Sequence, residues 1–107
     1  MSVKDQIKKG STETLILALI ADRPMYGYEL TQELRNRSNG YFDMKEGLLY
    51  PTLHRMQKEG LVSAEWQVPE SGRKRKYYAI TDIGQEALGR QKEEWKAFMT
   101  QMQGMIG

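Results

Sequence analysis

The chain has one histidine, His54, and no cysteine. No thiolate zinc site, disulfide framework or cysteine nucleophile is open to it. A Ser–His–Asp triad would have to use His54, and no carboxylates cluster around that residue to complete a metal site. Neither an HExxH pattern nor a phosphate-cradling glycine loop occurs. An enzyme is therefore the disfavoured class, and no cofactor or metal is expected. The chemistry these residue types suit is recognition. In the stretch EGLLYPTLHRMQKEG, Glu46–Gly60, helical spacing places Leu49, Leu53 and Met56 on one apolar stripe. Gly47, Pro51, His54, Arg55 and Lys58 fall on the opposite side, with Tyr50 and Gln57 along one shoulder. Such a face of small, aromatic and basic groups suits the DNA major groove, where Arg, Lys, His and Gln reach base edges and phosphates. The competing reading is an ordinary solvated helix face. The residues beyond Gly60, the expected left-handed stop, favour recognition.

After Gly60 the period changes from 3.6 to 2. Val62, Ala64, Trp66 and Val68 alternate with polar residues, as in a half-buried strand. Pro69-Glu70-Ser71-Gly72 is turn chemistry. The return run, Lys74–Thr81, puts Lys76, Tyr78 and Ile80 on one face and Arg75, Tyr77 and Ala79 on the other. The hairpin's tip and return strand thus carry Arg73, Lys74, Arg75 and Lys76, four consecutive cations with no acid among them. A charge run is usually a solvated face. Directly after a recognition-type helix it resembles the wing of a winged helix-turn-helix, whose tip touches phosphate or the minor groove.

Elements upstream must position these groups. Val3 and Ile7, four apart among charges, suggest an early helix start, and Ser11 within STET (Ser11–Thr14) is half of a capping box. Leu15–Ala21 is apolar on every side, as for a helix central to a core. Asp22-Arg23-Pro24 breaks it. A second helix is expected from about Gly27 to Arg37, with Tyr28, Leu30 and Leu34 inward, ended by Ser38-Asn39-Gly40. A loop, Tyr41–Lys45, leads to the recognition-type helix. The fold expected is mainly α with a small β-hairpin (α+β), a winged helix-turn-helix over residues 1–81 followed by a helix over 82–107.

Thr81-Asp82 opens that last helix with a capping hydroxyl and an acid in its first turn. Leu88, Trp95 and Met102 are spaced by seven, as are Gln91, Phe98 and Met105, with Met99 and Ile106 widening the stripe. At about 24 residues the helix is about 36 Å long, more than a compact winged core needs. Its stripe, joined by Val3 and Ile7, is expected to form a homodimer that presents two recognition helices to successive major grooves of a palindromic operator. The alternative is that the helix folds back on its own domain. Trp95, Phe98, Met99 and Met102, with Ile7 and Thr14 as wall, also suit a site for a flat hydrophobic or aromatic effector, although a Met-rich seam is more often a plain dimer core.

Size and balance agree with this outline. The 107 residues suffice for one domain with an appendage, 39% are hydrophobic and 28% charged, and the net charge is only +2. The distribution of charge therefore matters more than its total. No signal-type segment or membrane-length apolar run is present in the sequence, so a cytoplasmic protein without membrane contact is expected.

Three motifs, YGYEL (Tyr26–Leu30), EGLLYPTLHRMQKEGLV (Glu46–Val62) and RKRKYYAITDIG (Arg73–Gly84), together resemble the PadR family of bacterial transcriptional regulators. With one C-terminal helix the chain resembles the short subfamily that includes a multidrug-responsive regulator of Lactococcus. The resemblance implies a winged-helix dimer that represses from palindromic promoter DNA and lets go on binding a small molecule or by another signal. It also implies a ligand role for Trp95, which falls where that regulator sandwiches flat drugs at the dimer centre. Leu48 departs from the pattern, where the family commonly has a small hydroxyl residue; outward-facing, it could touch a thymine methyl or merely pack on a neighbour. Pro51 matches the family but removes a backbone donor near the helix start. The rival to a DNA-binding repressor is a winged-helix adaptor or antirepressor that touches only protein. The Arg73–Lys76 run argues against it.

Overall fold

A computed structural model describes residues 2–107. In chain order it has α1 (Val3–Asp22), β1 (Met25–Tyr26), α2 (Gly27–Arg37), α3 (Glu46–Lys58), β2 (Val62–Gln67), β3 (Arg75–Ile80) and α4 (Asp82–Ile106). This is the α+β winged-helix order expected, with a long C-terminal helix.

α1 is a single helix that starts earlier than STET suggests. Ser2 caps it, accepting from the Asp5 amide at 3.1 Å while Asp5 accepts from the Ser2 amide. Ser11 is therefore not a cap: it lies mid-helix and its hydroxyl donates back to the Ile7 carbonyl at 2.8 Å. That local bond satisfies a buried hydroxyl without a partner element. The apolar run sends Ile16, Leu17, Leu19 and Ile20 into the core, beside Leu30 and Leu34 of α2 and Leu49, Leu53 and Met56 of α3. Tyr28 does not join them. It is 59% exposed, because the inner edge of α2 is set by Leu30 and Leu34 and position 28 falls outside it.

The two-residue strand β1 is not legible locally. Pro24 holds Arg23 extended (φ −167°, ψ 157°), and Met25 and Tyr26 then pair with Tyr78 and Tyr77 to complete a sheet ordered β1-β3-β2. The hairpin register opposes Val62 to Ile80, Ala64 to Tyr78 and Trp66 to Lys76 on one face. That face is buried only at its base. Val62 and Tyr78 are core residues, whereas Trp66 is 57% exposed and Val68 is also open, so the outer half of the expected inward stripe stands clear of the domain.

Between α2 and α3, Asn39 and Gly40 take positive φ, and Arg35 pairs with Asp43 at 2.8 Å to hold the connecting loop. That hydrogen bond, seconded by Lys45, keeps the Asp43 carboxyl below its usual range. At the other end of the hairpin Thr81 accepts from the Gly84 amide and donates to the Gly60 carbonyl. One hydroxyl thus ties the start of α4 to the end of α3. Gly84 is required there, since a Cβ would collide with the Leu61 carbonyl oxygen. Ala87 and Leu88 complete the core, and α4 then runs on past it, giving the molecule a long dimension of 52 Å against 28 and 22 Å.

Candidate nucleic-acid interface

With Leu49, Leu53 and Met56 buried, the outer surface of α3 divides into two flanks and a crest. Glu46, Tyr50 and His54 face the wing. Leu48, Thr52 and Arg55 face α1 and α4. Gly47, Pro51 and Lys58 are exposed on the crest between them. Pro51 has no N–H for the Gly47 carbonyl, one turn earlier in the helix, so the ordinary helical bond to that carbonyl is missing beside the crest.

The wing-facing flank borders a groove of about 720 Å³ whose other walls are the start of α2 and the wing. Tyr50 crosses this groove to stand over Gly27, where any Cβ would collide with its hydroxyl oxygen. A side chain at position 27 would have to push the Tyr50 ring out of this place. Burial, and to a lesser degree Tyr50, raises the Tyr78 phenol above its ordinary value, so it remains neutral at the groove floor.

On the wing, aromatic rings hold the cations in place. The Arg75 guanidinium lies 4.4 Å from the centroid of Tyr26, which meets Tyr77 edge-on at 5.5 Å. Lys74 and Lys76 reach to within 5.2 and 6.0 Å of the Trp66 ring. Arg73 and Lys74 are exposed. Among the described residues none of these four cations pairs with a carboxylate. Arg23, Arg35, Arg37 and Arg55, by contrast, are all in ion pairs. The wing therefore keeps positive charge with no internal partner, on a support of rings that limits its spread.

Three expectations about individual residues change. Arg55 is exposed like His54, but its guanidinium is not free. It turns to α1, meeting Glu13 at 2.9 Å and Glu59 at 3.0 Å, and bonds first to Glu59 and then to Glu13 raise its pKa above its ordinary value. Leu88, expected on a dimer seam, is 4% exposed in the domain's own core. Gln91, expected on the same seam, donates to Glu13 and accepts from the Thr14 hydroxyl of its own chain. The proximal half of α4 does fold back on its domain. Of the remaining seam and ligand residues, Val3, Phe98, Met99, Met102 and Met105 are exposed, and Ile7 and Trp95 are half-buried. Trp95 and Phe98 pack edge-on at 5.7 Å. Thr14 and Trp95 share the rim of a cleft of about 430 Å³ between α1, α3 and α4; Ile7, Phe98, Met99 and Met102 are not among its lining residues. Tyr26, Tyr28 and Trp66 join the groove, and Glu13 the cleft on the other flank of α3, without having been expected there. The aromatic spacing Tyr26–Gly27–Tyr28 is the available signal for the first two.

A helix presented beside an aromatic-backed basic wing defines a winged-helix protein of the transcription-regulating kind. Residues 16–90 match the family described as the transcriptional regulator PadR-like family, and the chain belongs to it. It is similar to the transcriptional regulator Rv3488 of Mycobacterium tuberculosis, 39% identical over 83 residues that span 78% of this chain and 74% of that one. A PadR-like transcriptional regulator of Bacillus cereus has a structure that matches with a TM-score of 0.84 at 40% identity, covering 94% of this chain and 96% of the other. A transcriptional regulator of Clostridium thermocellum superposes with a TM-score of 0.87 at 25% identity, over 95% and 99% of the two chains. The protein is a transcriptional regulator rather than an enzyme, and no helix among the described residues is long and apolar enough to cross a membrane.

Proposed function

We propose that this regulator binds double-stranded DNA as a homodimer, with α3 in the major groove and the wing on the adjacent backbone, and represses from a palindromic operator. The observation that supports this best is the convergence of Tyr50, His54 and four unpaired wing cations on one groove. Gly47, Pro51 and Lys58 on the crest form the part of α3 that meets base edges and phosphates, with Leu48, exposed on the flank towards α1, at its edge. Arg55 is left out of the contact set because Glu13 and Glu59 hold it. Dimerisation uses the distal half of α4, where Phe98, Met102 and Met105 are exposed among the described residues, together with Val3 and Ile7. A flat hydrophobic effector lodges beside Trp95 in that dimer, where methionines adapt to its outline, and weakens DNA binding.

The test is a titration of the protein with its own upstream promoter fragment and a scrambled duplex at two salt concentrations. Tight, salt-sensitive binding that prefers the promoter is expected. Replacing Arg73 and Arg75 by Ala should weaken both duplexes alike and reduce the salt slope by about 1 for each phosphate no longer neutralised. Equal, weak binding to the two duplexes by the unaltered protein would instead fit a winged-helix adaptor that works through protein contacts.

A further inference from the structure

Glu13 lies on α1, outside the groove that faces the wing, and its two carboxylate oxygens hold two different helices. One meets the Arg55 guanidinium of α3 at 2.9 Å, and the other accepts from the side-chain amide of Gln91 on α4. Gln91 in turn accepts from Thr14, one residue along α1. The packed half of α4 rests on α1, with little direct contact to α3. This polar bridge therefore joins α3 to the helix whose far end leaves the domain, and it stands at the cleft that Trp95 borders. Half-exposed ion pairs of this kind add little to stability. Their geometric content is larger, because a two-oxygen acceptor between an arginine fork and an amide allows few arrangements.

We propose that Glu13 is a positioning residue for DNA reading, fixing the seat of α3 through Arg55 and coupling it to α4 through Gln91. The inference rests on α3 being the helix that reads DNA. In this arrangement Arg55 serves the protein rather than the nucleic acid, and a displacement of α4 at Gln91 reaches the Arg55 flank of α3 through the Glu13 carboxylate. Leu49, Leu53 and Met56 anchor the inner face of α3. The bridge fixes its outer flank, and so its rotation in the groove.

The experiment compares the wild-type protein with Glu13→Gln, Gln91→Ala and the double variant. Promoter and scrambled duplexes are titrated with each, and amide exchange is followed across Thr52–Lys58 without DNA. Glu13→Gln should keep its melting temperature within a few degrees and lower the promoter-to-scrambled affinity ratio at least tenfold. Scrambled-duplex affinity should hold or rise as Arg55 is released. Gln91→Ala should speed exchange in α3, although residue 91 lies on another helix, and should have no further effect in the Glu13→Gln background. A merely structural Glu13 would lower both affinities in proportion, and independent residues would give additive effects; either outcome overturns the proposal. Should the wild-type protein fail to prefer the promoter, the DNA-reading role of α3 falls. The exchange measurement still decides the coupling, because unchanged exchange in Gln91→Ala excludes it.

Discussion

Along the first turns of α4, Gly84, Ala87 and Leu88 are closed into the core, whereas its last turns leave Phe98, Met99, Met102, Met105 and Ile106 open to solvent, Met105 to 82%. The two stretches have similar hydrophobic spacing and belong to one continuous helix. What differs is reach. The domain beneath ends near Gln91, where the last bonds to Glu13 and Thr14 are made, and nothing among the described residues extends far enough to cover the rest. A helix of 25 residues, about 37 Å long at the usual rise, thus changes occupation from core element to exposed apolar face within roughly two turns. The sequence period is shared, so burial is decided by the neighbouring elements rather than by the stripe.

This contrast is open to being broken at its distal end first. Phe98→Glu together with Met102→Glu should raise the dimer dissociation constant at least a thousandfold, about 4 kcal/mol, while the domain keeps its helical content. Sedimentation at several concentrations, with far-UV circular dichroism beside it, separates the two effects. A double variant that remains dimeric would move the interface off distal α4. In the proximal half the expectation reverses. Leu88→Ala removes buried volume from the core and should cost about 2–5 kcal/mol of folding stability with little effect on self-association per folded chain. Urea denaturation measures the first quantity, and a loss below about 1 kcal/mol would mean that the core does not depend on α4.

The same contrast accounts for how much of the molecule is legible in its amino-acid sequence. Helix limits come through well where a local signal sets them. Gly27–Arg37 is legible at both ends, as is the start of α3 at Glu46, and the period of 2 after Gly60 marks β2 and β3. Leu49, Leu53 and Met56 stand out as the inner stripe because all three face one core. The errors fall where a distant element decides. Leu88 and Gln91 follow the same heptads as the exposed seam, and only the position of α1 separates them from it. Arg55 lies among outward residues on a helical wheel, yet its guanidinium is shared between Glu59, one turn along, and Glu13, far earlier in the chain. β1 exists only because β3 lies beside it. Trp66 alternates correctly for burial but sits beyond the point where the domain ends. The basic wing, by contrast, is visible as four adjacent letters, since like charges that repel one another need no tertiary contact to be conspicuous.

Trp95 stands at the junction between the two halves and offers the finest test of the contrast. It is half-buried, packs edge-on against exposed Phe98, and borders the cleft that also contains Thr14 and Gln91. Its environment should therefore report on the distal half as a partner or ligand covers it. In a Trp66→Phe background the remaining emission comes from Trp95 alone, and it should shift to the blue as the protein dimerises on concentration. Flat aromatic compounds should quench it. Trp95→Ala should weaken those compounds at least tenfold, about 1.4 kcal/mol, as measured by calorimetry, while leaving Trp66 emission as an internal reference. Undiminished binding to Trp95→Ala would place the effector away from the junction and leave the distal half of α4 with dimerisation as its whole purpose.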